Sequence, residues 1–477
     1  MLGRKQQEKV TLVGLDFGST TSSMLAVEAD LANNCATGRM EFRSAKAIHR
    51  PESIFTPFRG QKIDLDAVRA QVSTWLNQSK IDTNEIFAGG AIVTGLAAER
   101  ENAESLTSLI VDLLGEAVVA TADDPRLESW LAFMGGSAAL SRAYPERAFL
   151  NLDIGGGTTN PALGINGNVR ETGCHFVGAR HFEFVPGGYE LRSVSRFGAA
   201  ILEHLGLKMA VGGKLCEGEV HSITGYFVRA LCAIADGDRT FFNTPVGRLI
   251  EQSPFESSRA ASATLTFSGG VGELVYAIAA GNPVPNTTFY GDLGVDLALA
   301  ILAHPRLSRD VRDYVPEHRG RATVQGLTLN NTEISGTTLF LSGGETLPLR
   351  DLPVVATLAA DADVPALRDA LRLAGRSRRG ACLQLIWPTS HPSFEAVKRL
   401  GTAMSSALDE ADLPQDASIV ILTTANVGKA LGNYATAWRT TDRKLMIIDE
   451  IPERKAHFVN LGRMRNGVVP VSFYGMN

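Results

Sequence analysis

Two short segments hold the residue types best suited to chemistry: Asp16-Phe17-Gly18-Ser19-Thr20-Thr21 and Asp153-Ile154-Gly155-Gly156-Gly157-Thr158-Thr159. In each, an aspartate closes an apolar run, glycine follows, and hydroxyl residues come next. Glycine turns expose backbone N–H groups with no side chain in the way, and flanking hydroxyls add donors, so a polyphosphate is the natural acceptor. The expected donors are Gly18, Ser19, Thr20 and Thr21 from the first turn, and Gly155, Gly156, Gly157, Thr158 and Thr159 from the second. A carboxylate beside such a turn repels phosphate unless a cation lies between them. For Asp16 and Asp153 the natural cation is Mg²⁺, usually held through its waters. A third candidate is Ser268-Gly269-Gly270, where a strand pattern passes into a helical one. The missing side chains of Gly269 and Gly270 would let a flat base or ribose lie against backbone. Together the three segments describe a split nucleotide site.

Apolar periodicity gives the elements that must hold these turns. Val10–Leu15 and Ser23–Val27 predict strands on either side of the first turn, and Phe149–Ile154 and Pro161–Ile165 on either side of the second. The two aspartates stand 137 residues apart in near-identical settings, which predicts two similar α/β halves. Helices are expected over 64–78, 99–114, 127–141, 191–205, 219–236, 273–280 and 293–302, and a strand over 263–268. The charge-rich stretch 306–321 reads as a connector. Beyond it, strands at 337–341, 354–358, 382–387, 418–422, 445–449 and 468–473 alternate with helices at 392–410 and 427–435, which predicts a separate α/β unit.

Composition excludes several classes of function. With 477 residues the chain is too long for one small binding module. Lys plus Arg total 46 against 51 for Asp plus Glu, a net charge of -5 without a basic block, so nucleic acid is not an expected partner. No apolar stretch approaches a bilayer span, and the polar N-terminus lacks a secretory core, so a soluble cytoplasmic protein is expected. Glycine, 47 residues or about 10%, exceeds the roughly 7% of ordinary proteins. No G-x-x-x-x-G-K-[ST] loop occurs, and no G-x-G-x-x-G follows a strand, which removes the commoner phosphate cradles.

Other clusters favour structural readings. The five cysteines (Cys35, Cys174, Cys216, Cys232, Cys382) form no disulfide framework or zinc pattern, and Cys174-His175 with His181 lacks a fourth ligand. Asp449-Glu450, as neighbours on a strand, should point to opposite faces of a solvated strand end. Arg376, Arg378 and Arg379 read as a solvated loop, and the four tryptophans as core or edge packing.

The order hairpin, hairpin, strand-Gly-Gly-helix resembles the actin, Hsp70 and sugar kinase superfamily over residues 10–305. That resemblance implies a two-lobed actin-like (ribonuclease H-like) α/β fold closing over ATP and Mg²⁺. The lobes fall at 8–146 and 147–310, with a connector and C-terminal α/β domain at 311–477. It carries phosphate and cation roles to Asp16, Gly18, Ser19, Thr20, Asp153, Gly155, Gly156, Gly157 and Thr158, and nucleoside contact to Gly269 and Gly270. Chaperone members place a glutamate early in the helix before the second hairpin, whereas Met134-Gly135-Gly136-Ser137-Ala138-Ala139 offers no acid there. Slow turnover is expected, with ATP acting largely as a switch.

The whole chain further resembles the bacterial ethanolamine ammonia-lyase reactivating factors, through the two hairpins and the closing Val469-Pro470-Val471-Ser472-Phe473-Tyr474-Gly475. What this implies is a chaperone-like factor using ATP and Mg²⁺ to open an adenosylcobalamin-dependent lyase. The lyase is then the partner, membrane insertion is not expected, and self-association is left open. A station at the ethanolamine-utilisation microcompartment belongs to the same implication. Two rivals are a sugar-kinase-like phosphotransferase, which would need a carboxylate base near the γ-phosphate, and an actin-like filament protein.

Overall fold

The computed structural model describes residues 8–34, 38–60, 62–98, 100–115, 118–122, 124–342, 347–377, 380–414, 417–439 and 443–476. Cys35, Arg378 and Arg379 lie outside the described residues.

β1 (Glu8–Phe17) and β2 (Thr21–Asn33) pair antiparallel across the first glycine turn, with Asp16 opposite Ser23, and β2 pairs with β3 (Met40–His49). After α1 (Leu65–Ser79), β4 (Ile86–Val93) lies parallel to β1; after α2 (Ala103–Leu114), β5 (Val118–Ala122) lies parallel to β4. The order is β3-β2-β1-β4-β5. α1 starts where the Asp64 carboxylate accepts the Ala67 N–H, and stops at left-handed Lys80. Its Val68, Val72 and Trp75 recur at helical spacing and bury with Leu106 and Ile110 of α2 against Val13, Leu15 and Phe17.

A helix then runs as α3 (Pro125–Ala132), a π turn (Phe133–Ser137) and α4 (Ala138–Ala143). The second half repeats the first. β6 (Ala148–Ile154) and β7 (Thr159–Ile165) pair across the second glycine turn. β8 (Asn168–Thr172) follows the Asn166-Gly167 turn, both of whose residues have positive φ, as a tight hairpin requires. β9 (Cys174–His175) extends the sheet.

Next come β10 (Phe182–Phe184), β11 (Leu191–Val194) and α5 (Arg196–His204). The helix expected over 191–205 is therefore shorter. Ser195 caps it by accepting the Gly198 N–H, which leaves Leu191–Val194 free to pair with β10. α6 (Glu217–Asp236), β12 (Glu251–Ser253), β13 (Thr264–Ser268), α7 (Gly269–Ala279) and α8 (Gly294–Ala303) complete this half. The sheet order is β12-β9-β7-β6-β13, with β13 parallel to β6 as β4 is to β1. Phe227, Leu231 and Ile234 of α6 share a core with Leu150, Leu152, Leu265 and Phe267.

The stretch after the charge-rich segment forms α9 (Ala322–Leu329), which returns to the first sheet and packs on β1, β4 and the π turn. The approach is backbone to backbone: a Cβ on Gly135 would lie 2.5 Å from the Gly326 nitrogen and 2.9 Å from the Ala322 carbonyl carbon. Gly135→Val is accordingly expected to destabilise the protein by about 1–3 kcal/mol, read as a lower urea midpoint at unchanged m value.

The C-terminal unit contains β14 (Thr332–Ile334), β15 (Phe340–Leu341), β16 (Leu349–Ala359), α10 (Val364–Ala374), β17 (Ala381–Ile386), α11 (Phe394–Glu410), β18 (Ile419–Thr423), α12 (Gly428–Ala435), β19 (Leu445–Ile448), β20 (Ala456–Leu461) and β21 (Pro470–Met476). Its sheet runs β14-β21-β20-β16-β17-β18-β19-β15, with β16 through β19 parallel. Leu383, Leu385, Ile421 and Ile447 face the helices, while Val420, Leu422 and Met446 face Val459, Val471 and Phe473. The whole is an α/β fold of two halves built on similar sheets, with an additional C-terminal α/β sheet. Trp75, Trp130 and Trp387 are buried, whereas Trp438 sits exposed at an edge against Tyr434. Cys174, His175 and His181 are buried, with His175 beside Glu251 and Phe242 and His181 Nδ1 2.8 Å from the Ser195 hydroxyl.

Candidate functional site

Both glycine hairpins open onto one cavity of about 290 Å³ between the halves. Its lining includes Asp16, Gly18, Ser19, Thr20 and Thr21, then Asp153, Gly155, Gly156, Gly157 and Thr158, then Gly269 and Gly270, whereas Thr159, also expected from the sequence, lies off it with its hydroxyl donating to Val177 O at 2.7 Å. The repeat explains the convergence, because each hairpin turn ends the same strand pair of its own sheet and the two turns meet, a Cβ on Gly156 lying 3.4 Å from Ser19 Cβ.

Each turn is closed by its own backbone. The Gly18 N–H donates to Thr21 O and the Gly155 N–H to Thr158 O, both at 2.9 Å. Those two amides are thereby used. The amides of Ser19, Thr20, Gly156 and Gly157 carry no bond to the chain among the described residues. The Ser19 hydroxyl accepts the Leu96 N–H at 2.7 Å, pinning the first turn to the segment after β4. The Thr20 hydroxyl is buried without a partner, and its proton is one that an anionic oxygen would accept. Gly269 begins α7 with φ +78°, and a Cβ there would lie 2.5 Å from Ile154 O, so only glycine fits. Beside Gly270 a Cβ would meet nothing within 4 Å, which leaves an open backbone face.

The electrostatics are dominated by acid. Burial pushes the Asp16 carboxyl up to about 7, with the Asp153 charge adding to the rise and a 3.2 Å hydrogen bond from Thr94 opposing it. Burial raises Asp153 to about 6 against a 2.5 Å bond from the Ser268 hydroxyl. Asp292, also in the wall, is raised to about 6 by burial although Arg180 lies 3.7 Å away.

Sequence reasoning missed a third acid facing these two. Glu128, 8% exposed, lines the cavity from α3. Burial, then the charges of Asp153 and Asp16, hold its carboxyl well above the usual range. The stretch 134–139 holds no acid, as expected; the acid that reaches the cavity lies earlier in the chain. Glu128 sits in the first turn of α3, behind the Asp124 cap and Pro125. Gly135 and Gly136, read as an absence of chemistry, serve the close contact with α9. Thr94, Tyr290, Arg321 and Thr323 are further lining residues that no local pattern announced.

These shifts fix a pH dependence. Unfolded aspartates titrate near 3.9. Between that value and about 6 or 7, the folded protein holds protons that the unfolded chain has lost. The stability contribution of Asp16 and Asp153 is thus fully present below about 4 and is lost as pH rises through about 6 and then 7. The melting temperature of the ligand-free protein is expected to fall between pH 5 and 7.5, and Asp16→Asn to flatten the upper part of that slope in a thermal-melt series.

The sequence profile of the family described as "Ethanolamine utilisation protein EutA" matches residues 8–475. The ethanolamine ammonia-lyase reactivase EutA of Escherichia coli (strain K12) is 28% identical over 467 residues, spanning 96% of this chain and 97% of that protein. The reactivase EutA of Salmonella typhimurium (strain LT2) is 29% identical over 472 residues, with the same coverage. Among solved structures, the ethanolamine utilization protein EutJ from Carboxydothermus hydrogenoformans aligns with a TM-score of 0.28 at 14% identity, covering 67% of this chain and 89% of that one. ROK hexokinase from Thermus thermophilus aligns with a TM-score of 0.30 at 15% identity, covering 67% and 98%. With a profile match reaching from the first strand to the last, the chain belongs to the EutA family of ethanolamine utilisation proteins.

Proposed function

We propose that this protein reactivates ethanolamine ammonia-lyase in an ATP- and Mg²⁺-dependent cycle, releasing damaged or inactive cobalamin so that intact adenosylcobalamin can bind. The observation that carries this reading is the end-to-end kinship with two reactivases. The cavity supports the nucleotide part. Paired turns with unused amides, the unpartnered Thr20 hydroxyl and the open face at Gly270 fit a triphosphate with its nucleoside. Asp16, Asp153 and Glu128 would repel that ligand unless a divalent ion accompanied it, and Asp16 and Asp153 would hold the ion through water. Mg²⁺ bound there would neutralise phosphate charge. Glu128 is placed to accept a proton from a water in the cavity.

A partner-opening factor has a physical rationale. Spent and intact cobalamin differ little in shape, so exchange requires the lyase to shift to an open state that the factor binds preferentially. The C-terminal unit is wired to the nucleotide side: Asp124, which caps the helix bearing Glu128, also accepts the Gly475 N–H at 2.6 Å. Glu128 would also suit the phosphotransferase rival, but kinship over the full length favours the reactivase. No helix of the described chain is long and apolar enough to cross a membrane. A cytoplasmic location, with association to the ethanolamine-utilisation microcompartment, belongs to the same proposal.

The test uses lyase inactivated with cyanocobalamin. The pure protein is added with ATP, Mg²⁺ and adenosylcobalamin, and deamination is followed. Recovery that needs nucleotide is the expected result. Equal recovery without nucleotide would rule out the switch, and phosphorylation of ethanolamine or a sugar would favour the rival.

A further inference from the structure

Asp449 and Glu450 do not form the solvated strand end expected from the sequence. β19 ends at Ile448, Asp449 is fully enclosed, and Glu450 is 8% exposed. Glu450 has a φ of +61°, rare outside glycine, so the alternation of an extended strand no longer separates the two side chains. They converge instead. A Cβ built on Gly336 would lie 2.6 Å from Asp449 Oδ1 and 2.7 Å from Glu450 Oε2, so both carboxylates aim at the space beside this glycine.

Asp449 Oδ1 is buried without a hydrogen-bond partner. Asp449 Oδ2 accepts the Gly428 N–H at 3.2 Å and lies against the Thr338 hydroxyl, which is also 2.6 Å from Asn426 Oδ1. That hydroxyl has one proton and faces two acceptors. Flipping the Asn426 amide would supply a second donor to Thr338, but Asp449 Oδ1 would still have none. The cluster is therefore rich in oxygen and short of protons. Buried oxygens in that condition require either a hard cation or a proton on a carboxyl.

We propose that Asp449, Glu450, Thr338 and Asn426 form a binding site for a hard divalent cation, Mg²⁺ or Ca²⁺, separate from the cavity between the lobes. An all-oxygen set selects these ions over zinc. Two carboxylates with neutral oxygens form a donor set of low charge, and low ligand charge gives modest affinity. The site lies at the carboxyl ends of parallel strands β18 and β19, the edge at which α/β sheets take ligands. Beside it, the Arg39 guanidinium, just ahead of β3, donates to Thr424 O at 3.4 Å. An ion here would tie the loop before α12 to the end of β19, next to where the C-terminal unit meets the first lobe. The proposal does not depend on the proposed function.

The test is calorimetric titration of the chelator-stripped full-length protein with MgCl₂ and with CaCl₂ in the absence of nucleotide, paired with thermal melts. One equivalent should bind to wild type and to Asp16→Ala, none to Asp449→Asn, and Thr338→Val should bind roughly tenfold more weakly. The cation should raise the melting temperature of the first two proteins and leave that of Asp449→Asn unchanged. If Asp449→Asn fails to fold, Glu450→Gln provides the same readout. A wild type that binds no divalent cation, or an Asp449→Asn protein that keeps its equivalent, overturns the proposal. So does an Asp449→Asn protein whose advantage in melting temperature over wild type is the same with and without cation, the mark of a carboxyl that is simply protonated.

Discussion

Asp153→Ala is expected to lower nucleotide-dependent reactivation by on the order of a hundredfold or more, because it removes a carboxylate that would hold the Mg²⁺ and with it several kcal/mol of charge stabilisation. The side chain is buried, tied to Ser268 and central to the cavity, so nothing nearby replaces it. Asp16→Ala should act in the same direction from the opposite hairpin. The measurement is recovery of deamination from cyanocobalamin-inactivated lyase, run beside calorimetry with ATP and Mg²⁺. Urea unfolding serves as the fold control. Because burial raises both carboxyls, neither variant should be much less stable than wild type at neutral pH. A variant that unfolds early would place the residue in the scaffold and not in the site. Undiminished reactivation would remove Asp153 from the mechanism.

Glu128→Gln should separate nucleotide binding from hydrolysis. A buried carboxyl facing Asp16 and Asp153 is suited to accepting a proton from water, and loss of such a group typically costs about 10²–10⁴ in rate. The amide is the same size and cannot ionise against phosphate. ATP affinity should therefore hold or rise while phosphate release falls. The fate of reactivation in this variant then distinguishes the driving step. If cobalamin exchange survives a single addition of ATP but does not cycle, binding opens the lyase and hydrolysis resets the factor. If exchange stops altogether, hydrolysis is the working stroke. Unchanged phosphate release in Glu128→Gln would exclude Glu128 as the base.

The two hairpins and the Gly269-Gly270 handover were legible because their signals are local. A glycine turn between apolar runs is specified by residues a few positions apart, and repetition after 137 residues announces two halves without any knowledge of packing. The parallel strands of the tail were legible for the same reason. Long-range placement was not. Glu128 became a site residue only when α3 packed against the strands of the second hairpin and turned its first turn to the cavity, and α9, after the charge-rich stretch, was unreadable because its apolar face is defined by the sheet it returns to. The burial of Asp449 and Glu450 depended on a single positive φ and on partners more than a hundred residues earlier at Gly336 and Thr338. The sequence by itself determined which turns can grip a phosphate, since turn chemistry lies in the residues of the turn. Tertiary structure alone decided which acids meet inside the protein, because desolvation and mutual repulsion exist only once distant segments exclude water from the same space.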